Sequence, residues 1–201
     1  SDIDVLKNRK KVGNNVAVIG AGGIGFDVVD FLSSPERKDS EFDSLQPIDQ
    51  NAIDGFLTEW NIDKNIQRGG LVLDSVNPPP PQKNIYLLQR KAGKLGMSLG
   101  KTTGWIHRSV VHKRKVKQMD GCKYVEVNDN GFKIERNGKE IVLDIDTIVI
   151  CAGQYPFTTL YNEMVELQSS SNPNPNKENT KLYLIGGAQE AKELDAKRAI
   201  D

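Results

Sequence analysis

Gly20-Ala-Gly-Gly-Ile-Gly25 is the feature that most restricts what this chain can fold into. It follows Asn15-Val-Ala-Val-Ile19, a short apolar run rich in β-branched residues that predicts a buried parallel strand. Behind it Ile24, Val28, Phe31 and Leu32 recur at helical spacing and are expected to face inward. Pro35 places the end of that helix near Ser33–Ser34, because proline disfavours helix at the residue before it. The pattern Gly-x-Gly-x-x-Gly is weak by itself, but between a strand and a helix it is a dinucleotide fingerprint. The first glycine permits a tight turn, the second lets a pyrophosphate approach the backbone, and the third lets helix and strand pack closely. The diphosphate then meets the N–H groups and positive end of the helix. Gly20, Ala21, Gly22, Gly23, Ile24 and Gly25 are therefore candidate cofactor-binding residues.

A second apolar run, Asn84-Ile-Tyr-Leu-Leu-Gln-Arg90, predicts the neighbouring strand. A site for NAD places an Asp or Glu at the end of that strand to accept from the ribose 2′-hydroxyl. Here the strand ends Gln89-Arg90-Lys91, with no acid. A carboxylate would repel a 2′-phosphate, whereas an Arg fork can hold one and Lys91 adds a point charge. Hydrogen bonds to charged groups contribute about 1.5–3 kcal/mol each, on the order of tenfold or more in preference per contact. Gln89, Arg90 and Lys91 thus point to NADPH; the other reading of the two cations is a pair of solvated charges. The gap from Gly25 to Arg90 is 65 residues, against a usual spacing of about 20.

The difference is an insertion over 35–83, polar and closed by Pro78-Pro-Pro-Pro81. A connection that long has structure of its own or acts as a lid. Inside it Ile53, Phe56, Leu57 and Trp60 predict one helix, opened by Pro47 and Asp49. Lys91–Lys101 is a Gly/Lys-rich loop, and Thr103–Lys113 predicts a helix with Trp105, Ile106, Val110 and Val111 inward. From Val116 the period becomes two: Lys123–Val127, Gly131–Glu135 and Glu140–Leu143 are expected strands, with hairpin turns at Asn128–Gly131 and Asn137–Gly138. Asp146–Ile150 is a further parallel strand ending in Cys151-Ala-Gly153. Beyond it follow an expected helix over Pro156–Leu167, a loop over Ser169–Asn176, a strand over Leu182–Ile185, and a helix through Ala191, Leu194, Ala196 and Ile200. The expected fold is a Rossmann-like α/β parallel sheet flanked by helices, with an antiparallel β-meander excursion of the FAD/NAD(P)-binding type. Residues 1–13 form a lead-in, 14–153 the nucleotide domain, and 154–201 a return segment.

Composition narrows the function classes. The chain has 201 residues, with 27 Lys+Arg against 27 Asp+Glu. That balance argues against a nucleic-acid partner, which usually needs a basic excess, and gives no reason for a membrane partner. The longest Gly-containing apolar stretch, Val16–Phe26, is far short of the roughly 20 residues that span a bilayer. It also lacks a cleavage site, so it is not a signal peptide. Two cysteines, Cys122 and Cys151, with His107 and His112, are too few and too far apart for a metal or iron–sulfur site. Cys151 closes an apolar run expected to be buried, and reduced, inert thiols in a cytoplasmic protein are the expectation. The chain begins in a charged segment and stops inside a helical pattern, like a piece of something larger.

The matching stretches Val16–Asp27, Leu87–Lys91, Leu99–Arg108, Val149–Gln154 and Glu193–Ile200 resemble the bacterial NADPH-dependent 2,4-dienoyl-CoA reductases, relatives of old yellow enzyme. Gly-Lys-Thr-Thr-Gly-Trp-Ile-His-Arg108 is the most family-specific of these segments. The resemblance runs over nearly all of the chain but covers only the C-terminal third of such an enzyme. It implies an NADPH domain that delivers hydride to FAD, with electrons passing through a 4Fe-4S cluster to FMN and on to an unsaturated acyl-CoA in fatty acid β-oxidation. The FAD domain and the FMN/iron–sulfur barrel would be partners within the same polypeptide, with no catalytic residue and no metal ligand in this chain. It also implies that Asp27 lies near the nicotinamide edge, that Cys151, Ala152, Gly153 and Gln154 line the nicotinamide side, and that Gly186 and Gly187 face FAD. The pattern departs at Gln189, where an Asp for flavin contact is expected.

Three features stay open on the residues alone. Lys101, Thr102 and Thr103 either reach cofactor phosphates or simply begin a helix; Trp105 is expected in the core and His107 is expected to be packed rather than catalytic. Related enoate reductases or amine dehydrogenases share the layout, though Arg90-Lys91 disfavours those that hold ADP. A nucleotide-sensing, non-enzymatic docking domain is a further alternative. A self-contained oxidoreductase is disfavoured, because neither Tyr124 nor Tyr155 is followed four residues on by Lys.

Overall fold

Apolar residues alternate along Asn15–Ile19 (β1) so that Val16 and Val18 face one side and Ala17 and Ile19 the other, and both sides are covered. In the computed structural model, which describes residues 1–34, 50–72, 81–170 and 180–191, β1 is the third of four parallel strands. Its neighbours are Asn84–Leu88 (β2) and Thr147–Ile150 (β7), and Lys117–Met119 (β3) adds to the far side of β2, giving the order β3-β2-β1-β7. β3 is not expected from the sequence: Lys-Gln-Met is short and carries no apolar alternation.

Helices cover one face of this sheet. Asp2–Leu6 (α1) sets Val5 into the core beside Gly23–Ser33 (α2), whose Phe26, Val28, Val29 and Leu32 are buried against Val16, Val18, Ile85 and Leu87. Each such side chain contributes about 1.5–3 kcal/mol by leaving water. α2 ends at Ser33, one residue before Ser34 turns extended ahead of Pro35, as proline requires. Gly104–Lys113 (α4) adds Val110 and Val111 to the same layer. Phe31, expected inward, lies 38% exposed beneath the Arg9 guanidinium, 4.8 Å from its ring. The buried face of α2 is rotated toward Phe26 and Val29, away from Phe31.

The other face is covered by the antiparallel sheet Lys123–Asn128 (β4), Gly131–Arg136 (β5) and Lys139–Leu143 (β6). Phe132, Ile134 and Leu143 pack with Ala17, Leu88 and Cys122, and with the edges of Ile19, Tyr86, Met119 and Ile148. The turn into β6 has positive φ at both Asn137 (52°) and Gly138 (73°), the conformation a two-residue hairpin needs. Tyr124 rests on Phe132, and burial pushes its phenol up to about 12.

The insertion contributes Gln50–Glu59 (α3), with its ends beyond the described residues at 35–49 and 73–80; the expected Pro47, Asp49 and first three tetraproline positions lie there. α3 is fastened to α2 and α4 by Arg114. Its Nε donates to Glu59 Oε1 at 3.0 Å, and its Nη1 reaches the Asp30 carboxylate, the Asp30 carbonyl and the Ser34 hydroxyl. Trp60 stacks under Lys113 Nζ at 4.2 Å and meets Trp105 edge-on at 6.4 Å. Trp105 is therefore 54% exposed rather than a core residue, and Ile106 is 36% exposed. Their side of α4 turns toward the insertion, a neighbour that spacing within α4 does not reveal.

Contacts divide the chain into Ser1–Cys151 and Ala152–Asp201. In the second unit, Thr159–Ser170 (α5) begins three residues later than expected and runs through Ser169 and Ser170, which were expected in a loop. Leu182–Ile185 forms no strand, having no paired neighbour among the described residues, and a 3₁₀ turn follows at Gly186–Ala188. The expected loop from 171 and the final helix beyond Ala191 fall outside the described residues. Among the described residues no helix is long and apolar enough to cross a membrane.

Candidate functional site

Three hydrogen bonds lace together the C-terminal ends of the four parallel strands. Cys151 N–H donates to Ile19 O at 2.8 Å, Gly20 N–H to Leu88 O at 2.9 Å, and Gln89 N–H to Met119 O at 3.0 Å. In open parallel sheets this edge is where ligands bind.

The glycine crest follows from local sterics. Gly20 has φ +114°, a backbone state that side chains rarely adopt, and it turns the chain from β1 toward α2. Gly22 is the N-cap of α2 and, having no side chain, leaves room for an anion to approach the helix start. A Cβ on Gly25 would lie 1.8 Å from the Gly20 carbonyl oxygen, so only glycine allows this approach of helix to strand. Ala21 is buried and Ile24 packs partly against the core, so both shape the crest from below. Asp27 is exposed one turn into α2, its Oδ1 3.8 Å from His107 Nδ1. His107 itself packs edge-on to Phe26, its ring centroid 6.2 Å away.

One residue beyond β2 the cationic corner begins. Gln89 does not point its amide outward: Nε2 donates to Lys91 O and Gly93 O, both at 2.9 Å. Arg90 and Lys91 are exposed, and neither makes an ion pair among the described residues. Downstream, Lys101 and Thr102 sit in a turn whose last residue, Thr103, is the N-cap of α4. Sequence reasoning gave no part to Asp120 and Arg136, which reach this corner from β3 and β5. Asp120 Oδ2 accepts from Gly93 N–H at 2.7 Å and Oδ1 from Arg136 Nη2 at 2.5 Å. The Gly93 amide first, and Arg136 next, hold the Asp120 carboxyl below its ordinary value. The turn-forming pair Asp120-Gly121 was the available signal.

Cys151, at the end of β7, is half-buried rather than buried; burial and then Asp2 push its thiol up to about 12. Cys122 is fully buried, and burial raises its thiol too; both cysteines are free. Ala152, Gly153 and Gln154 belong to the second unit, where Gly153 has φ +81°. Gly186, with φ +58°, and Gly187 lie in the 3₁₀ turn of that unit, and Gln189 N–H donates back to Gly186 O at 3.0 Å. The structure thus brings Gly20–Gly25, Gln89–Lys91 and Cys151 to one sheet edge. Among the described residues no group of three or more His, Cys, Asp or Glu is placed to hold a metal ion.

A parallel sheet with a glycine crest, helices on one face and an antiparallel excursion on the other is the fold of FAD/NAD(P)-binding oxidoreductases. No protein-family model matches the chain. In sequence it is 23% identical over 161 residues to a metal reductase of Desulforamulus reducens, covering 80% of this chain and 21% of that protein. In structure it is similar to 2-naphthoyl-CoA reductase in complex with 2-naphthoyl-CoA, with a TM-score of 0.50 and 17% identity, covering 80% of this chain and 17% of that one. It is also similar to 6-hydroxypseudooxynicotine amine oxidase from Pseudomonas geniculata N1, with a TM-score of 0.52 and 13% identity, over 83% and 19% of the two chains. These relatives are redox enzymes by name, and this chain spans about a fifth of their length.

Proposed function

We propose that the chain is the NADPH-binding domain of a multi-cofactor flavoenzyme resembling 2,4-dienoyl-CoA reductase. The observation that carries this reading is the exposed Arg90-Lys91 pair, separated only by Gln89 from the strand whose Leu88 carbonyl bonds the first crest glycine. The residues present suit the coenzyme. Gly20–Gly25 would hold the pyrophosphate against the start of α2, and Arg90 with Lys91 would hold the 2′-phosphate. NADPH, when bound, supplies a hydride. The protein's part is to grip the adenosine end, and so to orient the other end past Asp27 and Cys151. Cys151 keeps its proton there and adds no charge.

Delivery to FAD, and onward through an iron–sulfur cluster and FMN to an unsaturated acyl-CoA, belongs to this proposal, as do an FAD domain and a barrel in the same polypeptide. The free thiols suit a reducing, cytoplasmic setting. A related enoate reductase module, or an amine dehydrogenase module that takes NADPH, would use the corner in the same way. The sequence match to a metal reductase favours a second reading, in which the electrons leave to a metal ion as substrate. The test is turnover. The chain alone, given NADPH and a 2,4-dienoyl-CoA, is expected to bind the nucleotide and reduce nothing; reduction without flavoprotein domains would overturn the assignment.

A further inference from the structure

We infer that Asp120 and Arg136 are positioning residues that set the preference for a 2′-phosphorylated nucleotide, by clamping the loop that carries Arg90 and Lys91. The inference rests on the reading above that this pair receives the 2′-phosphate. The loop 89–93 is held from two sides. From within, Gln89 Nε2 bonds the carbonyls of Lys91 and Gly93. From outside, Gly121 N–H donates to Lys91 O at 3.2 Å, and Asp120 takes the Gly93 amide at 2.7 Å.

Arg136 then fixes Asp120 through two contacts, Nη2 to the carboxylate and Nε to the Asp120 carbonyl at 2.9 Å. Arg136 ends β5, so the antiparallel sheet holds the loop through side chains. Gly93 itself has φ +106° with open space around its missing Cβ, so glycine serves the turn there and not the packing. A loop arranged before binding loses less freedom when two long cations close on a phosphate. Arg136 also balances the Asp120 carboxylate, which would otherwise oppose an incoming dianion.

Charge and position predict opposite signs for Asp120. Removing a carboxylate beside an anion subsite strengthens phosphate binding by charge alone, whereas releasing the loop weakens it. The probes are 2′,5′-ADP and 5′-AMP, which differ only in the 2′-phosphate, titrated calorimetrically on the protein. Asp120→Ala is expected to cut the preference for 2′,5′-ADP about tenfold while leaving 5′-AMP affinity unchanged, and Asp120→Asn, which keeps an acceptor for Gly93, to retain most of it. In an Arg90→Ala background, Asp120→Ala is expected to change the preference by less than it does in the wild type, because only Lys91 then depends on the loop. If circular dichroism shows that Asp120→Ala does not fold, Asp120→Ser, too short to reach Gly93, is read in its place with the same outcomes. An unchanged or increased preference, or an equal loss for both probes, overturns the inference. A wild-type protein that does not prefer 2′,5′-ADP overturns instead the reading on which it rests.

Discussion

Arg114 Nε donates to Glu59 Oε1 at 3.0 Å, and this contact ties the insertion helix α3 to the end of α2. Arg114 is only 11% exposed, and several acceptors converge on its guanidinium. Arg114→Ala is expected to cost about 2–3 kcal/mol, read as a lower urea midpoint. Lys cannot reproduce a fork shared among Glu59, Asp30 and Ser34, so Arg114→Lys should recover little of the loss. Limited proteolysis should cut the insertion sooner in both variants; an unchanged midpoint and cleavage pattern would show that α3 is held by other contacts.

Gly25→Ala places a methyl where the Gly20 carbonyl oxygen already stands. Overpacking of this kind costs about 1–3 kcal/mol. Because relief requires α2 to move away from β1, nucleotide affinity should fall with stability. Wild-type stability in this variant would mean that the crest is looser than described.

Asp54, Asp120 and Asp146 are held below their ordinary value of 3.8. For Asp54 the first cause is the bond from Lys64 and for Asp120 the Gly93 amide. Burial raises Asp146, but the Asn15 amide, Thr147 hydroxyl and Asn14 amide together outweigh it. Each binds a proton more readily in the unfolded chain, so the stability it contributes is complete above pH 3.8 and is lost as pH falls below that value. Urea midpoints should be level toward neutral pH as far as these groups are concerned and drop below pH 4, with a smaller drop in Asp146→Asn. An identical acid limb in that variant would remove Asp146 from the account.

Both thiols should be inert in the folded protein. At pH 8 a thiol pushed up to about 12, as Cys151 is, carries on the order of 10³-fold less thiolate than one at 9.0. Cys122 is also sealed in the core. Ellman's reagent should label neither quickly in buffer and both in denaturant. One fast native thiol would place Cys151 in a more polar setting.

How much of this was legible in the sequence follows from distance along the chain. The crest, β1, β2, β7 and the two hairpins rest on residues close together, where glycine sterics and apolar period act directly. The three-residue β3 lacked a pattern because its pairing with β2 comes from a crossover through α4. Trp105 and Phe31 were misplaced because their neighbours, Trp60 and Arg9, lie 45 and 22 residues away. Arg136 meets Asp120, and through it Gly93, only once the antiparallel sheet is laid down, so Arg90 and Lys91 could be found as cations while the means of holding their loop could not. Leu182–Ile185 has the apolar pattern of a strand, but a strand also needs a partner.

The role proposed for the Arg90-Lys91 corner is to recognise the 2′-phosphate of NADPH. Calorimetric titration of the protein and of Arg90→Ala with NADPH and NADH tests it most directly. NADPH should bind at least tenfold tighter than NADH, and Arg90→Ala should lose about 1.5–3 kcal/mol for NADPH with NADH nearly unchanged. Equal affinity for the two coenzymes, or equal losses on removing the guanidinium, would contradict it.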